Sequence, residues 1–293
     1  MRVGFAGLGN IGALMAWRLH ELGQDLVVWN RSVAKAQAFR DAGVPVAASP
    51  ADLARRVDVL CLCVTDAAAL DAVLFGADGI AEADAPPAVI VDHSTVSPEA
   101  TRRIAARVRE ACGAAWVDAP VSGGLAGAAS GQLAVFVGGE DEAVAQAWPV
   151  LTALGTTVTH LGPTGSGQVV KACNQAIGFL SFAALAEGLA LGSRFGIAPR
   201  LLATAVAGGF ADTPVLREWT RVIDSGAPLI GPALHTEAIM GYLGGTEMPA
   251  YDSPSPTNLA KDLGIIAALA EDADLRLPLV EQMRALVTEM RTR

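Results

Sequence analysis

The chain has 293 residues, 52% of them hydrophobic and 17% charged, which is enough apolar material for a large core over one to three domains and excludes a fibre or a disordered tail. Twenty-one basic residues against thirty acidic ones leave a net charge of −9, spread without blocks; a nucleic-acid or anionic-membrane partner is not expected, because neutralising phosphates takes clustered Lys and Arg. The four cysteines, Cys61, Cys63, Cys112 and Cys173, have no metal-ligand grouping, so no metal is expected and free thiols in a reducing cytoplasm are the reading.

In chain order, RVGFAGL enters a strand at once, without the charged region, apolar run and small-residue cleavage site of a secretory signal. DLVVWN, VDVLCLCV, PAVIVDHS, AAWVDAP and LAVFVGG are further strand candidates, separated by helical patterns such as Ile11 to Leu22. Alternating strands and helices with Val- and Ile-rich runs predict an α/β fold, a Rossmann-type doubly wound, mostly parallel sheet over residues 1–162. After HLGPTGSG, helical patterns take over at Val169 to Phe195, Pro199 to Ala207, Asn258 to Ala270 and Pro278 to Met290. They predict an all-helical domain over residues 163–293, joined through a long helix. The apolar run Ile177 to Leu191 contains Glu187, and Lys171, Asn174 and Gln175 precede it in the same pattern; a buried or interfacial helix is predicted rather than a membrane span. Asp224 to Thr257, rich in Gly and Pro, reads as one long connection, either a functional lid or a disordered insert.

GLGNIG, Gly7 to Gly12, is a GxGxxG between the first strand and the first helix. Its glycines serve a tight turn, close approach of a pyrophosphate to backbone N–H groups, and close helix-to-strand packing, so Gly7, Leu8, Gly9, Asn10, Ile11 and Gly12 are candidate dinucleotide contacts. An acidic residue at the end of the second strand would mark an NAD site, but Asn30, Arg31 and Ser32 stand there. Arg31 can pair with a 2′-phosphate and its neighbours can donate to it, which predicts NADP(H) over NAD(H).

DAPVSGG, Asp118 to Gly124, follows the apolar AAWV, and Val121 is read as carrying the chain off the sheet. Adjacent glycines leave amides unobstructed, so the turn makes an anion nest or, more plainly, a strand-end turn packed on the next helix. With GLGNIG, the span DAPVSGGLAGAASGQLAVFVGG and a Lys-x-x-Asn at Lys171 and Asn174, the chain resembles the β-hydroxyacid dehydrogenase family. That family includes 3-hydroxyisobutyrate dehydrogenases, tartronate semialdehyde reductases and glyoxylate/succinic semialdehyde reductases. The resemblance runs from Met1 to about Thr213 and resumes at NLAKDL, Asn258 to Leu263.

The resemblance implies that Ser122, Gly123 and Gly124 bind a substrate carboxylate, that Lys171 is the catalytic lysine and that Asn174 orients the reacting oxygen. It also implies that Lys261 contacts cofactor or substrate, that Thr95 lies beside the nicotinamide ribose, and that Val64 and Thr65 touch the adenosine side. Reducing an aldehyde by hydride needs a proton delivered to the nascent alkoxide and oxidation needs one removed; an ammonium whose pKa is lowered by desolvation can do both. His93, which replaces the family's usual residue before the Ser-Thr, is read as a buried, hydrogen-bonded imidazole.

The sequence departs from the family pattern in the long 224–257 stretch, which carries His235, Glu237, Tyr242 and Tyr251, and in the curtailing of the helix that usually follows the last one here. The resulting expectation is an NADP(H)-dependent oxidoreductase interconverting a small 3-hydroxy acid and its semialdehyde. A homodimer or homotetramer is expected, because Val169 to Leu191 is apolar over more than one face. The competing expectations are an imine reductase, which shares the architecture but generally lacks the lysine and the DAPVSGG loop, and a non-catalytic NADP-binding protein of the same fold, whose signature is loss of the lysine.

Overall fold

A computed structural model describes residues 1–229, 231–244 and 254–292. The chain divides into two compact units, Met1–Lys171 and Ala172–Arg293.

The first unit is built on an eight-stranded sheet. Its strands are β1 (Arg2–Ala6), β2 (Asp25–Trp29), β3 (Val59–Leu62), β4 (Val89–Asp92), β5 (Ala115–Asp118), β6 (Val121–Ser122), β7 (Leu133–Gly139) and β8 (Gly155–His160). They run in the order β2-β1-β3-β4-β5-β7-β6, with β8 on β7. The pairs from β2 through β5 are parallel, and β7 lies antiparallel to β5 and β6. The helices of this unit are α1 (Asn10–Glu21), α2 (Gln37–Asp41), α3 (Pro50–Ala54), α4 (Ala67–Phe75), α5 (Pro98–Cys112), α6 (Gly124–Ser130) and α7 (Asp141–Leu154).

Every residue of β3 and β4 is buried, as expected for parallel strands covered on both faces. The two-residue period of the strands sorts them into two cores: Val3, Phe5, Val59 and Cys61 join Met15 and Leu19 of α1 on one face. Ala6, Leu60 and Leu62 join Leu53, Leu70 and Ile104 on the other. The strand order reverses at β1, and open sheets leave a crevice at the carboxyl ends of the strands at such a point.

Two strands lie outside the predicted set. Val121 does not leave the sheet: Val121 and Ser122 pair with Val135 and Ala134 of β7. β8, the threonine-rich GTTVTH, buries only Gly155 and leaves its three threonines exposed, a largely solvated strand with too few apolar residues to stand out in the sequence.

The second unit is helical. α8 (Ser166–Arg194) begins within the first unit, and α9 (Pro199–Val206), α10 (Pro214–Ser225), α11 (Gly231–Gly244), α12 (Pro254–Asp272) and α13 (Pro278–Thr292) follow. By length and composition α8 could cross a membrane. Within this unit its Ala172, Phe179, Phe182 and Ala186 recur at helical spacing and join Leu259, Leu263, Ile266, Val280, Met283 and Val287 of α12 and α13 in one apolar cluster.

The reading of 224–257 as a single lid or insert fails over its described residues. Asp224 belongs to α10, and α11 buries Ala233, Leu234, Ala238 and Ile239. Two of the residues that suggested a loop are helix punctuation: Gly226 is the left-handed C-cap of α10 and Pro254 opens α12. His235 stacks on Phe182 with ring centroids 5.2 Å apart, burial lowers its pKa to about 4, and Glu237 accepts a 2.7 Å bond from Trp219 Nε1. Tyr251 lies outside the described residues.

Candidate active site and cofactor cradle

The glycine turn between β1 and α1 is tight where it meets the sheet and bare where it faces outward. Gly7 has φ +101°, and a Cβ there would sit 2.2 Å from Cys63 O; a Cβ on Gly12 would sit 2.1 Å from Gly7 O. Nothing lies within 4 Å of a Cβ built on Gly9, which begins α1 without any side chain capping it. Gly9, Asn10 and Ile11 therefore offer an anion the positive end of the helix, and the open space fits a dinucleotide pyrophosphate. Leu8 is turned the other way: its side chain is in the core and its N–H donates to Asn30 Oδ1 at 2.8 Å.

Asn30 also donates from Nδ2 to Ser32 O at 2.9 Å, so it braces the glycine turn against the loop after β2. The Nδ2 donor that the sequence offered to a 2′-phosphate is thus bonded to backbone, and Arg31 and Ser32 are the exposed members of the trio.

At the ends of β3 and β4 the loops are stitched together. Val64 N donates to Ser94 Oγ at 2.9 Å and Ser94 N to Asp92 Oδ1 at 2.9 Å, leaving Thr65 exposed and Thr95 half-buried. His93 Nδ1 lies 2.8 Å from Ala119 O; a carbonyl only accepts, so Nδ1 carries the hydrogen. Burial lowers the His93 pKa to about 4, and the neutral ring stacks on Phe5 at 6.3 Å. The sequence reading of this imidazole as a structural one agrees with that geometry.

In DAPVSGG, Ser122 ends β6, and Gly123 and Gly124 have φ +139° and +63°, conformations that L-residues with side chains rarely adopt. Both glycines are exposed. Asp118, fully buried at the end of β5, accepts N–H bonds from Gly165 at 2.7 Å and Gln168 at 3.1 Å. Burial pushes its carboxyl pKa up, and the N–H groups of Gly165, Gln168 and Gly167 oppose that push.

The start of α8 is thereby held on the sheet. Gly167 fits so closely that a Cβ would sit 2.2 Å from Phe136 O and 2.9 Å from Asp118 O. One turn later Lys171, 7% exposed, donates from Nζ to Val121 O at 2.9 Å. The predicted lysine and the predicted carboxylate turn are thus neighbours: the ammonium meets the residue just before Ser122.

The other two candidates lie in the helical unit, in a chain of side chains. Asn174 Nδ2 donates to Gln175 Oε1 at 3.2 Å, Gln175 Nε2 to Asp262 Oδ2 at 2.7 Å, and Lys261 Nζ pairs with Asp262 Oδ1 at 3.4 Å. Sequence reasoning gave no role to Asp118, Gln168 or Gln175. The available signal was the position of Asp118 and Gln168 inside DAPVSGG and GSGQVVK; only the structure shows that their partners are backbone groups.

The NAD binding domain of 6-phosphogluconate dehydrogenase matches residues 2–162, and the NAD-binding domain of NADP-dependent 3-hydroxyisobutyrate dehydrogenase matches residues 165–227. The NAD-dependent L-serine dehydrogenase of Pseudomonas aeruginosa is 32% identical over 281 residues, which is 95% of this chain and 88% of that protein. The chain belongs to the β-hydroxyacid dehydrogenase family. Within that family, human mitochondrial 3-hydroxyisobutyrate dehydrogenase is 38% identical over 202 residues, 69% of this chain; the match spans 60% of the human protein's length. Among solved structures, 3-hydroxyisobutyrate dehydrogenase from Salmonella typhimurium superposes with a TM-score of 0.80 at 27% identity, covering 99% of this chain and 93% of that one.

Proposed function

We propose that this β-hydroxyacid dehydrogenase family member is an NADP(H)-dependent oxidoreductase that interconverts a small 3-hydroxy acid and its semialdehyde. The observation that carries the reading is the buried Lys171 ammonium, bonded to Val121 O beside the Ser122–Gly124 turn. A bound nicotinamide supplies or accepts the hydride. Ser122 and the amides of Gly123 and Gly124 hold the acid's carboxylate. Lys171 Nζ gives a proton to the alkoxide oxygen in reduction and takes it back in oxidation; Asn174 orients that oxygen, and Lys261 contacts cofactor or substrate.

The relatives' names support the substrate class: 3-hydroxyisobutyrate and L-serine each carry a carboxylate and a 3-hydroxyl. For NADP(H) over NAD(H), the support is an exposed Arg31 and no acidic residue at 30–32. A homodimer or homotetramer is supported by apolar residues of α8 left in solvent, Ile177 at 70% and Leu191 at 63% exposure. The four free cysteines support a cytoplasmic location.

The test is reduction of NADP⁺ and NAD⁺ across a panel of 3-hydroxy acids, with two variants alongside the wild type. Lys171→Ala is expected to lower kcat by about a hundredfold or more; undiminished turnover ends the proton-transfer role. Arg31→Asp is expected to weaken NADP⁺ binding by about tenfold or more while sparing NAD⁺, since it replaces an attraction to the 2′-phosphate with a repulsion. Unchanged NADP⁺ affinity in that variant means that Arg31 does not read the phosphate.

A further inference from the structure

Gln168 is 1% exposed and stands one helical turn before Lys171 on α8. Its side-chain amide bonds the backbone on both sides of Thr95: Nε2 donates to Ser94 O at 2.8 Å, and Oε1 accepts from Val96 N at 3.3 Å. Its own N–H donates to Asp118 Oδ2 at 3.1 Å. A carboxamide carries the same donor and acceptor pair as a peptide unit, so Gln168 serves the loop after β4 as one residue of a neighbouring strand would. The carbonyl before Thr95 and the N–H after it are both held, and both lie in residues at most 3% exposed. The same loop reaches Val64 through Ser94 Oγ, so a single side chain ties the ends of β3 and β4 to the helix turn that carries the lysine.

We infer that Gln168 is a positioning residue that fixes Thr95 relative to Lys171, and hence the cofactor relative to the proton-transfer group. The inference rests on the reading of Thr95 as a cofactor contact and of Lys171 as the acid/base. Its chemistry is specific: the bracket needs a donor and an acceptor on one planar head. Leucine supplies neither. An ionised glutamate keeps the acceptor but presents a negative oxygen to Ser94 O, whereas a protonated glutamate restores the full pair. Burial holds a carboxyl pKa up, so Gln168→Glu becomes a proton-switched version of the bracket.

The experiment compares wild type, Gln168→Leu and Gln168→Glu in the full chain. It measures NADPH affinity by fluorescence titration, kcat and KM for the acid selected by the panel, pH dependence between about 5 and 8, and exchange of the Val96 amide hydrogen. Gln168→Leu is expected to lose tenfold or more in kcat per folded molecule, the order expected when reacting groups are displaced by a fraction of an ångström to an ångström, with weaker NADPH binding and faster Val96 exchange. Gln168→Glu is expected to regain NADPH affinity and turnover as pH falls, a response absent from the wild type. Wild-type kinetics and affinity in Gln168→Leu, or a wild-type pH response in Gln168→Glu, overturn the inference. Should the wild type bind no NADPH and oxidise no acid, the functional reading fails instead. Val96 exchange then decides the bracket alone: equal protection in wild type and both variants overturns it. If the leucine variant does not fold, the glutamate variant carries the same test.

Discussion

The two units each contain a chain of hydrogen-bonded polar groups, buried in the sheet unit and mostly half-buried in the helical one, and the two chains are built on opposite plans. In the sheet unit, Asp118, Ser94 and Gln168 bond mainly to backbone N–H and C=O groups. In the helical unit, Asn174, Gln175, Asp262 and Lys261 bond one another through their side chains. A backbone partner in a packed strand or helix start cannot turn away when its side chain is removed, so it is left buried and unsatisfied. Side-chain partners can rotate and find water. The sheet-unit chain should therefore be rigid and costly to cut, and the helical-unit chain more forgiving.

The largest test of that difference is Asp118→Ala. Removing this acceptor leaves the Gly165 and Gln168 N–H groups without their carboxylate and should cost about 3–5 kcal/mol in denaturant unfolding. A loss below about 1 kcal/mol would erase the contrast.

Acid should act on both units to a similar extent, because each contains a buried imidazole. His93 and His235 have pKa values lowered from 6.5 to about 4 by burial. A depressed folded pKa contributes stability that is present above the unfolded value and lost as pH falls toward the folded one. Each histidine should thus withdraw up to roughly 3 kcal/mol between pH 6.5 and 4. Unfolding free energies measured over that range should fall less steeply in His235→Phe than in the wild type. An unchanged slope would show that His235 titrates normally in the fold.

The smallest effect is expected at Asp262→Asn, which keeps an acceptor for Gln175 and loses only the pairing with Lys261, a residue only partly buried. About 1 kcal/mol or less of stability should be lost, with the effect read instead as a weaker cofactor or substrate interaction through Lys261. A stability loss as large as that of Asp118→Ala would mean that the two chains are equally rigid.

The same contrast explains what the sequence could disclose. The Rossmann-type sheet and the glycine turn were legible, because alternating Val-rich runs and glycines at fixed offsets reflect backbone requirements that few other residues meet; Lys171 and the DAPVSGG loop stood out only through the resemblance to the family. β6 was missed because two residues carry no period, and β8 because its threonines put little apolar surface on the sheet. α11 was missed because glycines and prolines at helix ends look the same as those in a loop. The roles of Gln168 and Gln175 were illegible for another reason: a glutamine on a helix is ordinarily solvated, and only the folded chain brings Ser94, Val96 and Asp262 within reach.

At Gly167 the helix bearing Lys171 lies against the sheet with no room for a single methyl. For protein engineering this position is a fixed point. A mutational library aimed at new acids would return no viable replacements there, while Val169 and Cys173, exposed on the same helix, would tolerate most residues. Diversity introduced to alter specificity belongs away from that junction, since even an alanine would push the helix start off the strand and carry the ammonium with it.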